Sequence, residues 1–202
     1  MYRAGVLFLI IGSLIGSYFV ITNGILIAII LGFAILSIYF YSTKIVDSGL
    51  GEFFVGVKGS MIVIGTFFIQ SGEVNFESIL AGVVVGTLSS LVLFIASFPD
   101  HDADKSKGRK TLVIVVGKEK ARKIFWIFPL IVYSVILIGV SVNLFPLLSL
   151  ICLLGFPLMI KSGLGLQKNY AFVDDLVPYM SSTLKFSRIT GILFVISFLI
   201  PV

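Results

Sequence analysis

The sequence has little from which a disulfide, a zinc centre or a soluble surface could be built. It contains one cysteine and one histidine among 202 residues, so an intramolecular disulfide is impossible and a zinc site of the common kind is not expected. Only 12% of the residues are charged, whereas 58% are hydrophobic, and the mean hydropathy is +1.14. A soluble domain of this length cannot bury so much apolar surface, but a lipid bilayer absorbs it. The composition therefore predicts an integral membrane protein.

Seven apolar segments are candidates to cross a bilayer, whose hydrocarbon core needs roughly 17–25 helical residues. They comprise residues 5–21, 24–41, 54–70, 78–98, 123–143, 145–160 and 186–202. The sixth is short and flanked by Pro146 and Pro157, so its limits are the hardest to place. Lipid does not tolerate unpaired backbone groups, and the strict alternation of a membrane β-barrel is absent, so helices are predicted. We expect one all-α transmembrane domain over residues 1–202. The first segment is too long for the apolar part of a typical signal peptide.

The basic residues divide the connecting loops into two sets. Threading seven helices through a membrane places residues 1–4, 42–53, 99–122 and 161–185 on one side. Of the fifteen Lys and Arg, fourteen fall in or beside these loops, and Lys58 lies close enough to snorkel back to the same side. The opposite loops carry Glu73 and Glu77 but no basic residue. By the positive-inside rule, the N-terminus and the loop 99–122 are expected to be cytoplasmic in a multi-pass protein of the cell membrane. The net charge of +5 then needs no nucleic-acid partner.

The loop after the fourth segment carries a concentrated set of charges. Asp100, Asp102 and Asp104 are followed at once by the basic residues Lys105, Lys107, Arg109 and Lys110. Asp100 and Asp104 are four residues apart, so on a helical turn they share a face from which Asp102 points away. Two carboxylates on one face repel each other unless a cation lies between them. Mg²⁺ suits this role because it prefers hard oxygen ligands and keeps positions open for phosphate oxygens. The basic residues are then placed to neutralise a bound diphosphate.

Other interpretations of this loop fit the residues less well. A calcium-binding EF-hand requires glycine and glutamate at positions occupied here by Lys105 and Thr111. The string from Gly108 to Thr111 lacks the upstream glycine of a P-loop. His101 lies off the shared aspartate face, so a solvated side chain is favoured over a metal ligand. A merely solvated loop between two membrane helices remains the plain alternative.

Two blocks of the sequence resemble the UbiA prenyltransferase superfamily. The run from Asp100 through Asp104 to Gly108-Arg109-Lys110-Thr111-Leu112, continuing to Ala121-Arg122, is similar to the second aspartate motif of that family. The block Tyr41-Ser42, Gly49-Leu50-Gly51-Glu52 and Gly65-Thr66-Phe67-Phe68-Ile69-Gln70-Ser71-Gly72 looks like the branch that prenylates 1,4-dihydroxy-2-naphthoate in menaquinone synthesis. The two blocks together cover about 85 residues, in the order that the family has them.

The resemblance implies an enzyme that transfers a prenyl group from an isoprenoid diphosphate to an aromatic acceptor, in a bundle of nine helices. By position, Asp100 and Asp104 would be the catalytic pair and the ligands of Mg²⁺, which is the implied cofactor. Arg109 and Lys110 are candidate contacts of the diphosphate, and Tyr41 is a candidate near the donor. Glu52 matches a family position to which no role is assigned, and helix capping is the plain alternative for it.

The chain also departs from the family pattern. The family's first aspartate motif lies between its second and third helices, but nothing before Asp47 is acidic here. The seven predicted helices therefore correspond to the last seven of nine, and we expect the missing helices either upstream in a longer protein or on a separate chain. The alternative function is a non-catalytic membrane protein that binds lipid or serves as a partner subunit. A transporter is disfavoured because the segments lack a charge at the membrane midplane.

Overall fold

The described part of the chain is a bundle of α-helices. The computed structural model describes residues 2–40 and 48–200, and within these ranges there is no β-strand. The helices are α1 (Tyr2–Asn23), α2 (Ile25–Phe40), α3 (Gly51–Ser71), α4 (Phe76–Ala96), α5 (His101–Ser106), α6 (Leu112–Val116), α7 (Lys118–Ile124), α8 (Ile127–Ser141), α9 (Phe156–Asn169) and α10 (Val173–Leu199). A 3₁₀ helix, Leu147–Gly155, leads directly into α9. The predicted all-α fold is confirmed.

Six helical segments are long and apolar enough to span a membrane. They are Arg3–Asn23, Gly51–Ser71, Phe76–Ala96, Lys118–Ser141, Leu147–Asn169 and Val173–Leu199. Helix α2 adds a shorter apolar stretch, Ile25–Ile38. With the composition, this number of apolar helices is that of a multi-pass membrane protein.

The last two spanning helices extend well beyond the predicted apolar segments. A loop was expected over residues 161–185, but α9 continues to Asn169 and α10 already begins at Val173. Hydropathy detects the part of a helix that faces lipid, whereas the helix itself continues wherever its polar residues can remain exposed. Lys161 and Lys185 lie on such exposed positions, while Leu166 and Leu176 are buried inside the bundle. The polar segment between the two spans is therefore mostly helix, with a short turn at residues 170–172.

Helices α3 and α4 form a hairpin with very close packing. Gly72 ends α3 with a φ of 78°, and Asn75 caps α4 by accepting a 2.8 Å hydrogen bond from the amide of Ser78. Between the helices, Gly59 lies against Gly86 so closely that a β-carbon on Gly59 would come within 2.8 Å of the Gly86 Cα atom. This contact joins the middle parts of the two helices, and nearer the start of α3 the Ser90 hydroxyl of α4 donates to the Glu52 carbonyl.

The main core lies between α4 and the second half of the chain. Its fully buried side chains include Phe94 of α4, Val132 of α8, Leu166 of α9 and Phe186 of α10. Helix α1 packs on α2, where Leu31 covers Gly16, and α2 in turn places Ile30 against Gly65 of α3. The short helices α5 to α7 connect α4 to α8 at one end of this bundle, and that end carries the candidate site.

Candidate diphosphate site

A tight turn delivers the acidic residues at the end of α4. Phe98 anchors the turn because it is buried and its ring packs edge-on against Phe94, with the ring centroids 5.5 Å apart. The amide of Asp104 donates a 2.8 Å hydrogen bond to the carbonyl of Asp100, so the two residues lie one helical turn apart. Asp100 is exposed, and its side chain makes no capping hydrogen bond to α5. The structure thus places these two aspartates at adjacent turns, with Asp100 open to a ligand.

The basic segment folds back onto the acidic one. Gly108 has a φ of 77°, a left-handed conformation that glycine adopts without strain, and it reverses the chain after α5. The amide of Arg109 then donates to the carbonyl of Asp104 over 3.0 Å. Its guanidinium Nη1 donates to the Oδ1 atom of the same residue over 3.1 Å. The candidate phosphate contact Arg109 therefore pairs with the candidate metal ligand Asp104.

Asp102 has different neighbours from Asp100 and Asp104. Its side chain is 83% exposed and lies 2.7 Å from Nδ1 of His101 and 3.6 Å from Nζ of Lys118. The hydrogen bond with His101, together with the charge of Lys118, holds the pKa of the Asp102 carboxyl below its ordinary value. These contacts fasten α5 to the start of α7, and Asp102 belongs to that connection.

The two sequence blocks meet in space although about 60 residues separate them in the chain. Gly49 also has a left-handed φ of 77°, and a β-carbon there would lie 2.9 Å from a methyl group of Val115 and 3.5 Å from the carbonyl of Lys110. Three residues later, Glu52 is 3% exposed in the first turn of α3. It does not cap that helix, since Leu50 is the N-cap residue and no side chain makes the capping hydrogen bond. Gly49 of this block thus packs against the segment that follows the aspartates, whereas Tyr41 lies outside the described residues.

A second connection ties α7 to the end of α9. Arg122 donates from Nη1 to the carbonyl of Gln167 over 2.7 Å, and Gln167 returns a 2.8 Å hydrogen bond from Nε2 to the carbonyl of Arg122. The guanidinium carbon also lies 4.5 Å from the centre of the Tyr170 ring, which is a cation–π geometry. The sequence marked Arg122 only as part of a motif. Its partners could not be anticipated, because the segment around Gln167 was predicted to be loop.

The donor set at Asp100 and Asp104 suits half of a magnesium–diphosphate site. Mg²⁺ is commonly held by one or two carboxylates together with phosphate oxygens and water, and two hard oxygen donors one turn apart fit this pattern. In the part of the chain that the structure describes, no cluster of three His, Cys, Asp or Glu residues is arranged to hold a metal ion.

Comparison with known proteins identifies the family. The model of the UbiA prenyltransferase family matches residues 1–171, which include both sequence blocks and the whole aspartate segment. The chain belongs to the UbiA prenyltransferase family. The resemblance inferred from the two blocks is thereby confirmed. No solved structure gives a significant match to the chain.

Two curated relatives support the UbiA assignment. A 1,4-dihydroxy-2-naphthoate octaprenyltransferase of Bacillus subtilis (strain 168) is 38% identical over 72 residues, which are 35% of this chain and 23% of the relative. The protein of the same name from Escherichia coli (strain K12) is 30% identical over 152 residues, which are 73% of this chain and 48% of the relative. The chain thus spans at most about half the length of these two UbiA-type relatives in the matched regions.

Proposed function

We propose that this UbiA-family chain binds a prenyl diphosphate with Mg²⁺ at Asp100 and Asp104 and serves in transfer of the prenyl group to an aromatic acceptor. The observation that carries the proposal is the local geometry. The two aspartates lie one helical turn apart, and Arg109 folds back to Asp104 across the Gly108 turn. One short segment thereby holds carboxylates that suit a metal ion and a guanidinium that suits a diphosphate.

Each residue of the segment has a role that follows from its chemistry. Asp100 and Asp104 would hold Mg²⁺, which would neutralise negative charge that develops on the departing diphosphate. Arg109 and Lys110 would donate hydrogen bonds to the diphosphate oxygens, with Arg109 exchanging Asp104 for the ligand. Tyr41 keeps its proposed place near the donor. The apolar helices next to the segment would receive the prenyl tail and keep water from the allylic cation that remains when diphosphate leaves.

The proposed acceptor is 1,4-dihydroxy-2-naphthoate. Both curated relatives are named for the prenylation of this compound, and the E. coli match extends over 73% of the chain. An aromatic acceptor that bears hydroxyl groups is electron-rich, so it suits attack on an allylic cation.

We also propose that a second set of carboxylates comes from polypeptide beyond the described residues. The described part supplies two carboxylates on one face, and the family's aspartate motifs work as a pair. A separate chain that carries the other motif would complete the site. We place the whole aspartate segment on the cytoplasmic side, because the basic residues gather at this end of the bundle and Glu73 and Glu77 lie at the other.

Binding of farnesyl thiodiphosphate, a slowly reacting analogue of the donor, tests the metal assignment. We expect the full chain in lipid nanodiscs to bind the analogue only with Mg²⁺ present. Asp100→Asn and Asp104→Asn should each weaken binding by more than about tenfold, since each removes a carboxylate ligand of the metal. Asp102→Asn is the matched control, because Asp102 pairs with His101 and Lys118, and it should change the affinity by less than about twofold.

Binding and turnover separate the proposed enzyme from its main alternative. A non-catalytic subunit of this family would bind the analogue but would not consume a prenyl diphosphate, even when a polypeptide that carries the other aspartate motif is added. The two-carboxylate donor set keeps this alternative open. Equal affinity in the wild-type chain, Asp100→Asn and Asp104→Asn would refute the metal assignment for both functions.

A further inference from the structure

The carboxyl group of Glu52 is buried without a hydrogen-bond partner. The residue is 3% exposed, and among the described residues neither carboxylate oxygen has a partner in hydrogen-bonding geometry. A buried polar group in this state is costly, and an apolar side chain of similar volume would fill the same space without that cost. The helix dipole favours a carboxylate in the first turn of α3, but an exposed side chain would gain the same benefit, so this position does not explain why the carboxyl group is buried. The groups around Glu52 indicate why a carboxyl group is buried there.

Three elements converge on Glu52. Its backbone carbonyl accepts a hydrogen bond from the Ser90 hydroxyl of α4, which fixes the first turn of α3. Its carboxyl group faces its own backbone amide, the backbone amide of Leu112 at the start of α6, and Ser97 at the end of α4. The Ser97 hydroxyl already donates to the Leu93 carbonyl over 3.0 Å, so the Leu112 amide is the donor from outside α3 that this carboxyl can engage. The first amides of a helix have no partner within the helix, so they are donors that need an acceptor. The Thr111 side chain accepts from Ile114, which leaves the amide of Leu112 for an acceptor from outside α6.

Leu112 directly follows the proposed diphosphate contacts. The segment Arg109–Thr111 is held at its beginning by the 3.0 Å hydrogen bond from the Arg109 amide to the Asp104 carbonyl. Glu52 faces its other end, and Gly49 packs against the Lys110 carbonyl in between. A binding segment whose backbone is held at both ends loses less conformational freedom when its side chains engage a ligand.

We propose that Glu52 is a positioning residue of the diphosphate site: its buried carboxyl attracts the Leu112 amide that faces it and so holds Arg109–Thr111 in place. Glu52 acts through the backbone of this segment and does not touch the ligand. The ligand's identity rests on the proposed function, but the holding of the segment does not.

Amide hydrogen exchange of the full, ligand-free chain tests the structural half of the proposal. The variants are Glu52→Met, which keeps the length of the side chain and removes the acceptor, and Glu52→Gln, which keeps one carbonyl oxygen. We expect Glu52→Met to accelerate exchange of the Leu112 amide, read in the peptide 108–116, by about fivefold, the factor of a single hydrogen bond. Glu52→Gln should restore exchange to nearly the wild-type rate. Glu77→Met, in the first turn of α4 at the other end, is the matched control and should leave this peptide unchanged.

Ligand affinity tests the functional half and shows whether the role is more than structural. Glu52→Met should weaken binding of farnesyl thiodiphosphate with Mg²⁺ by about fivefold or more, Glu52→Gln by less than about twofold, and neither should lower the thermal midpoint. The proposal is overturned if Glu52→Met leaves peptide 108–116 unchanged, accelerates exchange throughout the bundle, or is matched by Glu52→Gln. If Glu52→Met does not fold, Glu52→Leu repeats the comparison. A wild-type chain that fails to bind the analogue refutes the proposed function, whereas the exchange rates still decide whether Glu52 holds the segment.

Discussion

Replacing Arg109 by glutamine should change the affinity for Mg²⁺ and the affinity for a prenyl diphosphate in opposite directions. Nη1 of Arg109 lies 3.1 Å from Oδ1 of Asp104, and the two side chains are 54% and 15% exposed. The guanidinium thus neutralises a carboxylate that we propose to bind the metal ion. Glutamine removes this competing cation, but it also removes a charged donor for the diphosphate.

The expected magnitudes follow from the exposure of the pair. An ion pair this accessible to water contributes roughly 0.2–1 kcal/mol, so its loss should tighten binding of Mg²⁺ alone by about 1.4- to 5-fold. A hydrogen bond from a charged donor contributes about 1.5–3 kcal/mol, so the affinity for the prenyl diphosphate should fall by roughly 10- to 150-fold. The second effect is larger than the first, and their signs differ.

Both affinities can be measured on the full chain in nanodiscs. Paramagnetic Mn²⁺ can replace Mg²⁺ and be titrated by electron paramagnetic resonance, while farnesyl thiodiphosphate is titrated at saturating Mg²⁺. Lys107→Gln removes one positive charge from the same loop, and the described part of the chain shows no ion pair for Lys107, so it controls for the general field. If Arg109→Gln weakened metal binding without diphosphate, or if Lys107→Gln reproduced both effects, the exchange of Asp104 for the ligand would be refuted.

Three further predictions concern packing, orientation and pH. Gly86→Ala should destabilise the bundle by roughly 1–3 kcal/mol in thermal unfolding, because the new methyl group meets the backbone carbonyl of Gly56, whereas Gly12→Ala has open space and should not destabilise. Similar downward shifts for both would contradict the close α3–α4 contact. A membrane-impermeant maleimide should label Lys107→Cys from the cytoplasmic side and Glu73→Cys from the opposite side. Background labelling should be low because the native Cys152 is buried. Labelling of both variants from one side would refute the topology. Carboxyl NMR should show that Asp102 titrates below its ordinary pKa of 3.8, and that this pKa rises in Lys118→Gln. The contacts of ionised Asp102 stabilise the fold above pH 3.8, and this stability is lost as the pH falls through the lowered pKa. An unchanged titration in Lys118→Gln would show that Lys118 does not act on Asp102.

The spacing of Asp100 and Asp104 correctly predicted that they lie on one helical turn, but it could not predict which residues surround that turn. The four-residue spacing of Asp100 and Asp104 places them one turn apart because the turn is helical, and the backbone hydrogen bond between them confirms this. The burial of Glu52 has no such local signature. A glutamate after Gly-Leu-Gly looks like an exposed residue at a helix start, and only the approach of α6 and the end of α4 encloses it.

The ends of α9 and α10 illustrate the same limit. Hydropathy ended the sixth segment at residue 160 because Lys161 follows, yet Gly163 and Gly165 beyond it pack against Trp126 and Tyr179. Tertiary contacts stabilise these helices where their sequence becomes polar, and hydropathy averaged over a sequence window contains no information about such contacts. The partners of Arg122 were missed for the same reason, since Gln167 stands on the extension.

The 3₁₀ helix Leu147–Gly155 gives its transmembrane segment additional reach. A 3₁₀ helix rises about 2.0 Å per residue against about 1.5 Å in an α-helix, so nine residues advance about 18 Å rather than about 13.5 Å. The 23 residues of Leu147–Asn169 can therefore extend about 39 Å, whereas the hydrocarbon core is about 30 Å thick. This length exceeds the thickness of the hydrocarbon core by about 9 Å, which is enough for Gln167, near the end of the helix, to lie outside the core where it contacts Arg122. The 3₁₀ helix lies at the start of this span and lengthens it. The end of α9 can therefore reach Arg122 of α7, the helix that also contacts the aspartate segment through Lys118.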